Sequence, residues 1–322
     1  MRLGKLDNDD LQRLVLSKFL KARPESICAP GIGRDCAALD LSGDLTVLST
    51  DPITSAGIAH LGRLTVHVSC NDAAAAGAEP VGLLVTLLVP PSATQEQIGQ
   101  IADDLSVAAT AAGVDILGGH TEVTDAVTHA VTCATVVARL NPKHALCGMC
   151  EGDDIVMTKW AGLEGTTILA SDFAHRLTAL PKCTLENAIS LAKHLSVVPE
   201  SRIATACGAT DMHDITEGGV LGAAWELTYV SNCGICLDTA TIPVLPETQA
   251  ICQALGLDPL RLIGSGSMLI SCTDGTRLVK KLMEHNIHAC VIGKAFGTEL
   301  CNQNGAVISP PGADELYRLS GN

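Results

Sequence analysis

Apolar and polar positions alternate along the chain with two different periods. In the first segment Leu11, Leu14, Val15 and Phe19 fall at helical spacing over residues 9–21, Asp7 or Asn8 can cap that helix, and Pro24 ends it. Thr46 to Ser49 is strand-like and stops at Thr50-Asp51-Pro52. Ile58 to Gly77 predicts a long helix, rich in Ala73 to Ala76 at its end and broken by Gly77 and Pro80. Val81 to Val89 is a nearly unbroken apolar run, which predicts a buried strand closed by Pro90-Pro91. Thr94 to Ala112 predicts a second long helix, with Thr94 as N-cap and Gly113 just past its end. Val114 to Leu117 is a short strand running into Gly118-Gly119-His120-Thr121-Glu122, and residues 129–140 are β-rich.

The chain is punctuated again between Cys147 and Gly152, which sets the expected boundary between a domain of residues 1–150 and one of 151–322. Beyond it the pattern predicts a strand at Asp154 to Trp160, a turn at Gly162-Leu163-Glu164-Gly165 opening a helix, and helices at Leu185 to Leu195 and Glu200 to Gly208. Asp211 to Gly219 reads as a polar, glycine-rich turn before a helix at Val220 to Tyr229. Gly234 to Leu237 is a strand, and Leu260 to Ser271 is expected as a strand pair interrupted by Gly264-Ser265-Gly266-Ser267. A helix at Thr276 to Glu284 and a strand at Ala289 to Gly293 follow. Both halves mix helices and strands, and neither contains a short-period repeat or a heptad pattern.

Composition narrows the function. Apolar residues make up 47% of the 322 positions and aromatics only 2%, so the core is built from Ala, Val, Leu and Ile. Few aromatics and a formal charge of -14 argue against nucleic acid as partner, because base stacking and phosphate attraction are both missing. No apolar run reaches membrane-spanning length and no signal segment opens the chain, so a cytoplasmic protein with no membrane association is expected. The 14 cysteines then read as reduced, mostly small buried hydrophobes. Cys147-Gly148-Met149-Cys150 is half a zinc pattern or a redox pair, but no second pair completes a zinc site, and a plain loop is the simpler reading.

Candidate chemistry gathers at segment ends. Asn71 and Asp72 are adjacent polar groups in an otherwise apolar helix, and a buried carboxylate there needs a partner or a metal. A solvated helix face would explain them equally well. Asp35, Asp51, Asp72 and Glu122 all sit at or just after apolar segments, and two of these loops carry paired glycines, Gly31/Gly33 and Gly118/Gly119. Glycine lets backbone approach a ligand and aim N–H groups at phosphate oxygens. Magnesium takes oxygen from a few carboxylates plus the phosphates themselves, so this combination suits a magnesium–nucleotide site. Gly31 to Asp35 is not a Walker A loop, lacking the Gly-Lys-Ser/Thr ending, and it does not follow a strand as a dinucleotide fingerprint would.

Taken in order, the motifs resemble the AIR synthase superfamily, which includes aminoimidazole ribonucleotide synthetase, thiamine-monophosphate kinase, selenophosphate synthetase and a hydrogenase maturation factor that dehydrates a carbamoylated cysteine. The carrying residues are Gly33 to Ala38, Ser49-Thr50-Asp51, Asn71 to Pro80, Gly118 to Glu122, Asp214 to Gly219 and Gly256-Leu257-Asp258-Pro259-Leu260. The resemblance implies two mixed α/β (α+β) domains: an N-terminal one, residues 1–150, that pairs across a homodimer into a β-barrel and holds ATP at that interface, and a C-terminal one, residues 151–322, closing the site. It implies ATP and Mg2+ as cofactors, with Asp35, Asp51 and Asp72 binding metal and phosphates. Asn71, Gly31, Gly33, Gly118, Gly119 and Thr121 would line the nucleotide site, and Lys5 would reach the phosphates from an N-terminal segment. Asp214 would stand near the substrate and, with His120, is the candidate for catalysis, and Glu122 is a further candidate metal ligand. The expected chemistry is attack of a substrate nucleophile on the γ-phosphate, with the protein positioning the groups and neutralising charge.

The departures matter too. A selenophosphate synthetase requires a Lys after the reactive Cys of the N-terminal loop, and none follows Cys28. The maturation factor ends in a cysteine-bearing tail, whereas the last cysteine here is Cys301, so that reaction is expected to lack its carrier. His120 stands where Gly-Gly-Asp-Thr is usual, and either Glu122 replaces the lost charge, or metal loading is altered, or His120 only hydrogen-bonds a neighbour. The expectation is an ATP- and magnesium-dependent homodimeric enzyme acting on a small molecule or a peptide-borne amide. A thiamine-monophosphate-kinase-like phosphotransferase and a non-catalytic nucleotide-binding accessory factor are the alternatives.

Overall fold

In the computed structural model of the protein the described residues are 8–9, 32–33, 37–40, 43–54 and 56–319. Most of the helix expected over 9–21, and the candidate residues Lys5, Gly31 and Asp35, lie outside them. The chain divides into two compact units that change over between Ala145 and Leu146, with Ile32 and Gly33 belonging to the later one.

The first unit is a five-stranded sheet covered by two helices. Its strands β1 (Ala37–Asp40), β2 (Leu45–Ile53), β3 (Glu79–Val89), β4 (Asp115–Val123) and β5 (Val131–Leu140) lie in the order β1-β2-β5-β3-β4. All neighbours are antiparallel except β3 and β4, which run parallel and are joined through a helical crossover. Helix α1 (Ile58–Ala75) ends as its sequence dictates. Gly77 takes the left-handed conformation, its N–H bonds Ala74 O at 2.9 Å, and the Ala78 N–H bonds Ala73 O at 2.9 Å. These two bonds form a Schellman motif that satisfies the last carbonyls and fixes Asn71 and Asp72 in the final turns. Helix α2 (Gln95–Ala112) starts on a capping box between Thr94 and Gln97 and stops at left-handed Gly113.

The two helices cross at Gly62. A Cβ there would stand 2.5 Å from the Leu105 nitrogen, so the backbones can touch only because the side chain is absent. Arg63 fastens the crossing, its backbone N–H and its guanidinium both donating to Asp104. Leu61, Ile101, Leu83 and Val136 are fully buried in the resulting core, each contributing roughly 1.5–3 kcal/mol by removal from water.

Alternation along the strands assigns two faces. Thr132 on β5 exchanges a 2.6 Å hydrogen bond with Thr65 on α1, so Thr132 marks the helix-covered face. By register Leu87, Val85, Ala134, Val136, Ser49 and Asp51 share it, whereas Thr86, Cys133, Thr135 and Thr50 lie on the opposite, open face.

The second unit is built on a six-stranded sheet of order β11-β8-β10-β6-β9-β7. Its strands are β6 (Asp154–Thr158), β7 (Ala209–Asp214), β8 (Ile235–Leu237), β9 (Met268–Cys272), β10 (Ala289–Ala295) and β11 (Leu300–Asn302). The helices are α3 (Leu163–Asp172), α4 (Lys182–Ser190), α5 (Val198–Cys207), α6 (Gly219–Ser231), α7 (Pro246–Leu255) and α8 (Gly275–Glu284). Ile155, Met157, Ile235, Leu237 and Leu269 of the sheet pack with Val220, Ala224 and Leu227 of α6 in one core.

Three expectations are corrected here. Only Met268–Cys272 of the supposed strand pair is a strand. Pro259, Gly264 and Gly266 break what precedes it, and the Ser267 hydroxyl bonds Trp160 O at 2.8 Å to make a packed turn. The polar stretch from Asp211 begins as strand β7, because Met212, His213 and Asp214 are buried against β9. Helix α7 was missed, although Pro246 at its first turn and Gly256 past its end bracket it.

Gly119 of β4 has a φ of 146°, and a Cβ on it would meet the Val85 carbonyl oxygen of β3 at 1.7 Å. Gly119→Ala is therefore expected to break the parallel β3–β4 pairing and lower stability by about 2 kcal/mol or more. A urea midpoint equal to the parent's would contradict this.

Candidate functional site

In the first unit the helix-covered face carries the acidic chemistry. Asp72 and Asn71 are buried in α1. The Ser49 hydroxyl of β2 donates a short hydrogen bond to Asp72 Oδ2. Asp51, two residues on, shares the face of Ser49 and is half-buried. The strand thus carries one carboxylate on the face covered by the helix that holds another. Burial, reinforced by the neighbouring Asp72 charge, pushes the Cys70 thiol up to about 12, so Cys70 behaves as a packed hydrophobe.

The glycine-rich strand divides between the faces. Gly119 and Thr121 pair with Val85 and Leu87, on the helix-covered side; Gly118, His120 and Glu122 pair with Leu84, Thr86 and Leu88, on the open side. His120 Nε2 and Glu122 Oε2 stand 3.4 Å apart and are well exposed. β4 lies three strand positions from β2, roughly 14 Å at the usual spacing. Within one chain, then, Ser49 meets Asp72 with Asp51 on the same face, and His120 and Glu122 form a separate pair on the other face. Among the described residues no group of three His, Cys, Asp or Glu side chains could by itself hold a metal.

In the second unit Asp214 ends β7 and is buried, and Glu217 follows in the turn before α6. His213 does not face it as an acid–base partner. Its Nδ1 lies 2.7 Å from the Asp214 backbone oxygen, and its Nε2 lies 3.4 Å from Glu226 of α6. Ile32 and Gly33 also belong here: Gly33 takes a φ of 70°, and a Cβ on it would stand 2.5 Å from Val230 of α6. Cys147 and Cys150 are exposed in a loop. Gly264 to Ser267 is a filled turn, since a Cβ at Gly266 would meet His194 O at 2.6 Å and Ser265 bonds Glu164.

The sequence reading missed a cluster around that turn. Glu164, read only as part of a helix-opening turn, is buried with Asp314, and Glu217 is half-buried close by. The Gly218 N–H donates to Asp314 Oδ2 at 2.8 Å, and the Tyr317 hydroxyl donates to Glu217 Oε1 at 2.6 Å. The segment carrying Asp314 and Tyr317 is thereby clamped over the start of α6. Burial pushes the Glu164 carboxyl up to about 7, against hydrogen bonds from Ser265, and pushes Asp314 up to about 6, against three backbone N–H groups. No spacing signals this cluster, because its members are far apart in the chain.

A second missed pair is structural. Lys159 has a φ of 52° and is buried, with its Nζ 2.6 Å from Glu200. It also donates to the carbonyls of His194 and Ser196 at 2.9 and 2.6 Å, so all its donors are used in joining the end of β6 to α5 and the segment before it.

The family model described as "AIR synthase related protein, N-terminal domain" matches residues 33–139, and the corresponding C-terminal domain model matches residues 151–300. The chain is 30% identical over 269 residues to carbamoyl dehydratase HypE of Cupriavidus necator, covering 79% of this chain and 73% of that protein. It is 27% identical over 334 residues to carbamoyl dehydratase HypE of Escherichia coli K12, covering 96% of both. A solved structure of hydrogenase maturation protein HypE in complex with ATP superposes with a TM-score of 0.72 at 21% identity, covering 98% of this chain and 97% of that one.

Raised carboxyl pKa values fix the sign of a pH dependence. Glu164 keeps its proton in the folded chain up to about 7, whereas in the unfolded chain it ionises near 4.5. Its contribution is complete below the lower value and is lost as pH rises through the upper one, so folding stability falls across that window. Glu164→Gln is expected to flatten the decline, by up to about 1.4 kcal/mol for each pH unit in the window. Urea unfolding at pH 5 and pH 8 checks it, and parallel curves for variant and parent would refute the assignment.

Proposed function

The chain belongs to the AIR synthase related protein family, and on that premise we propose that it is an ATP-dependent, magnesium-requiring enzyme that phosphorylates or activates a small molecule or a peptide-borne amide. The observation that carries this reading is the buried Asp72, held by Ser49 with Asp51 on the same face. Carboxylate and hydroxyl oxygens are the donors that hard magnesium prefers, and it needs only one or two carboxylates when phosphates supply the rest. The residues therefore fit the ion. Asp51 and Asp72 would hold it, together with Asp35 from outside the described residues, and when bound it would neutralise phosphate charge. By the family resemblance Asn71 and Gly118-Gly119 of the first unit are the candidate nucleotide-lining residues, and in the second unit Asp214 is the candidate for contact with the substrate.

ATP is the nucleotide named for one HypE structure similar in fold, and carbamoyl dehydratase is the name of the relatives. Both accord with activation of an amide oxygen by phosphoryl transfer, in which positioning and charge neutralisation do most of the work. The described cysteines are all free thiols, which suits the cytoplasmic location included in the proposal. No helix among the described residues is long and apolar enough to cross a membrane.

The proposed enzyme is a homodimer. β4 is an edge strand, exposed along all nine residues, and it carries Ile116, Leu117 and Val123 with 42–60% of their surface exposed. An exposed apolar edge is a template for another strand, and a second copy is the partner the family resemblance implies. His120 and Glu122 sit on this same strand, so in the dimer they would lie where the copies meet.

Two outcomes follow. Asp72→Asn is expected to weaken magnesium-dependent ATP binding tenfold or more and to remove phosphate release in a coupled assay, with the circular dichroism spectrum kept. Equal affinity in parent and variant would exclude Asp72 as a ligand, and ATP binding by the parent with no release on addition of any candidate substrate would favour the accessory-factor alternative. In sedimentation velocity the parent is expected as a dimer and Leu117→Asp as a monomer; a parent that sediments as a monomer at micromolar concentration would contradict the assembly.

A further inference from the structure

β8 and β11 pair in parallel at the edge of the second unit's sheet, and their register sets Cys236 directly opposite Cys301. Opposed residues in a ladder project from the same face, with backbones about 4.8 Å apart. That spacing falls within the roughly 4.4–6.8 Å Cα separation that a disulfide spans. The Cys236 thiol donates to Asn302 O at 3.6 Å, on the strand that carries Cys301. Neither residue is fully buried, so a small reagent can reach them. Among the described residues no other two cysteines oppose each other in a ladder. Cys70, Cys252 and Cys272 are enclosed in cores, and burial raises their thiols well above the ordinary range.

We propose that Cys236 and Cys301 are a dithiol–disulfide pair, oxidised by a low-molecular-weight disulfide such as oxidised glutathione. The Cys301 thiol is raised by burial and by the neighbouring Cys236, which makes it the second of the two to react. Cys236, having lost its proton to solvent, attacks one sulfur of the glutathione disulfide, and glutathione thiolate leaves. Cys301 then gives up its proton and attacks the Cys236 sulfur of the mixed disulfide, and the second glutathione thiolate leaves. Two protein thiols are oxidised to one disulfide, one glutathione disulfide is reduced to two glutathiones, and the two protons return to the departing thiolates.

The bond would fasten more than a short strand. After β11 the chain turns back so that Cys301 bridges Val307 and the Ile308 N–H bonds Leu300 O at 2.9 Å. This hairpin forms one wall of a cleft of about 900 Å³ whose other wall carries Trp225 and Tyr229, stacked 5.3 Å apart. Oxidation would pin the hairpin to β8 and hold that wall in place.

The test uses the folded full chain, incubated in glutathione buffers of graded ratio, then alkylated, digested and analysed by mass spectrometry. The expected result is a single new cross-linked peptide pair joining Cys236 to Cys301, lost on treatment with dithiothreitol, together with a raised thermal midpoint for the oxidised protein. In Cys301→Ser the cross-link should vanish and Cys236 should retain one glutathione. Full alkylation of both residues at the most oxidising ratio would overturn the proposal. So would a cross-link confined to Cys147 and Cys150, a mixture of several pairings, or a glutathione that persists on Cys236 in the parent.

Discussion

A carboxylate enclosed in an apolar helix is the constraint on which the first unit turns. Asp72 lies in the last turns of α1, among alanines that pack against the sheet, and a charge there is costly unless hydrogen bonds compensate it. The Ser49 hydroxyl supplies one. For that bond to form, β2 must run beneath the C-terminal end of α1, and the helix must end in register with the strand. Gly77 and Ala78 provide that ending, and Gly62 lets α2 press α1 onto the sheet. Asp51 then arrives on the same face by simple alternation, so two acidic residues share a face through secondary structure rather than through a dedicated loop.

The second unit solves a related problem differently. Its buried acids are far apart in the chain and converge where the segment carrying Asp314 and Tyr317 crosses the start of α6. Burial raises the affinity of Glu164 and Asp314 for protons, whereas the Lys159–Glu200 pair satisfies burial with opposite charges. The edge strand β4 remains the least satisfied element of the first unit: all nine of its residues are exposed, and Ile116, Leu117 and Val123 among them set apolar surface in water.

Much of this was legible in the residues. The limits of α1 and α2 follow from Gly77, Thr94 and Gly113, whose roles are local, and the superfamily resemblance carried by Asn71 to Pro80 and Asp214 to Gly219 agrees with the family models and with the fold. What the sequence obscured depends on tertiary contacts. Strand β7 was hidden because Asp211, His213 and Asp214 look like turn residues until β9 pairs with them. The paired glycines at 118 and 119 read as an anion loop, yet Gly119 is also required by the Val85 backbone across the parallel ladder. His120 and Glu122 seemed to belong with Asp72, but alternation, which no motif spells out, places them on the other face.

The central claim is that Asp72 and its neighbours prepare a place for a magnesium–nucleotide complex. Calorimetric titration of the unmodified protein with ATP, once in excess magnesium and once in a chelator, tests it most directly. The account predicts saturable binding of one ATP per chain in magnesium, with the heat largely lost when the ion is withheld. Equal binding in both buffers, or none in either, would contradict it.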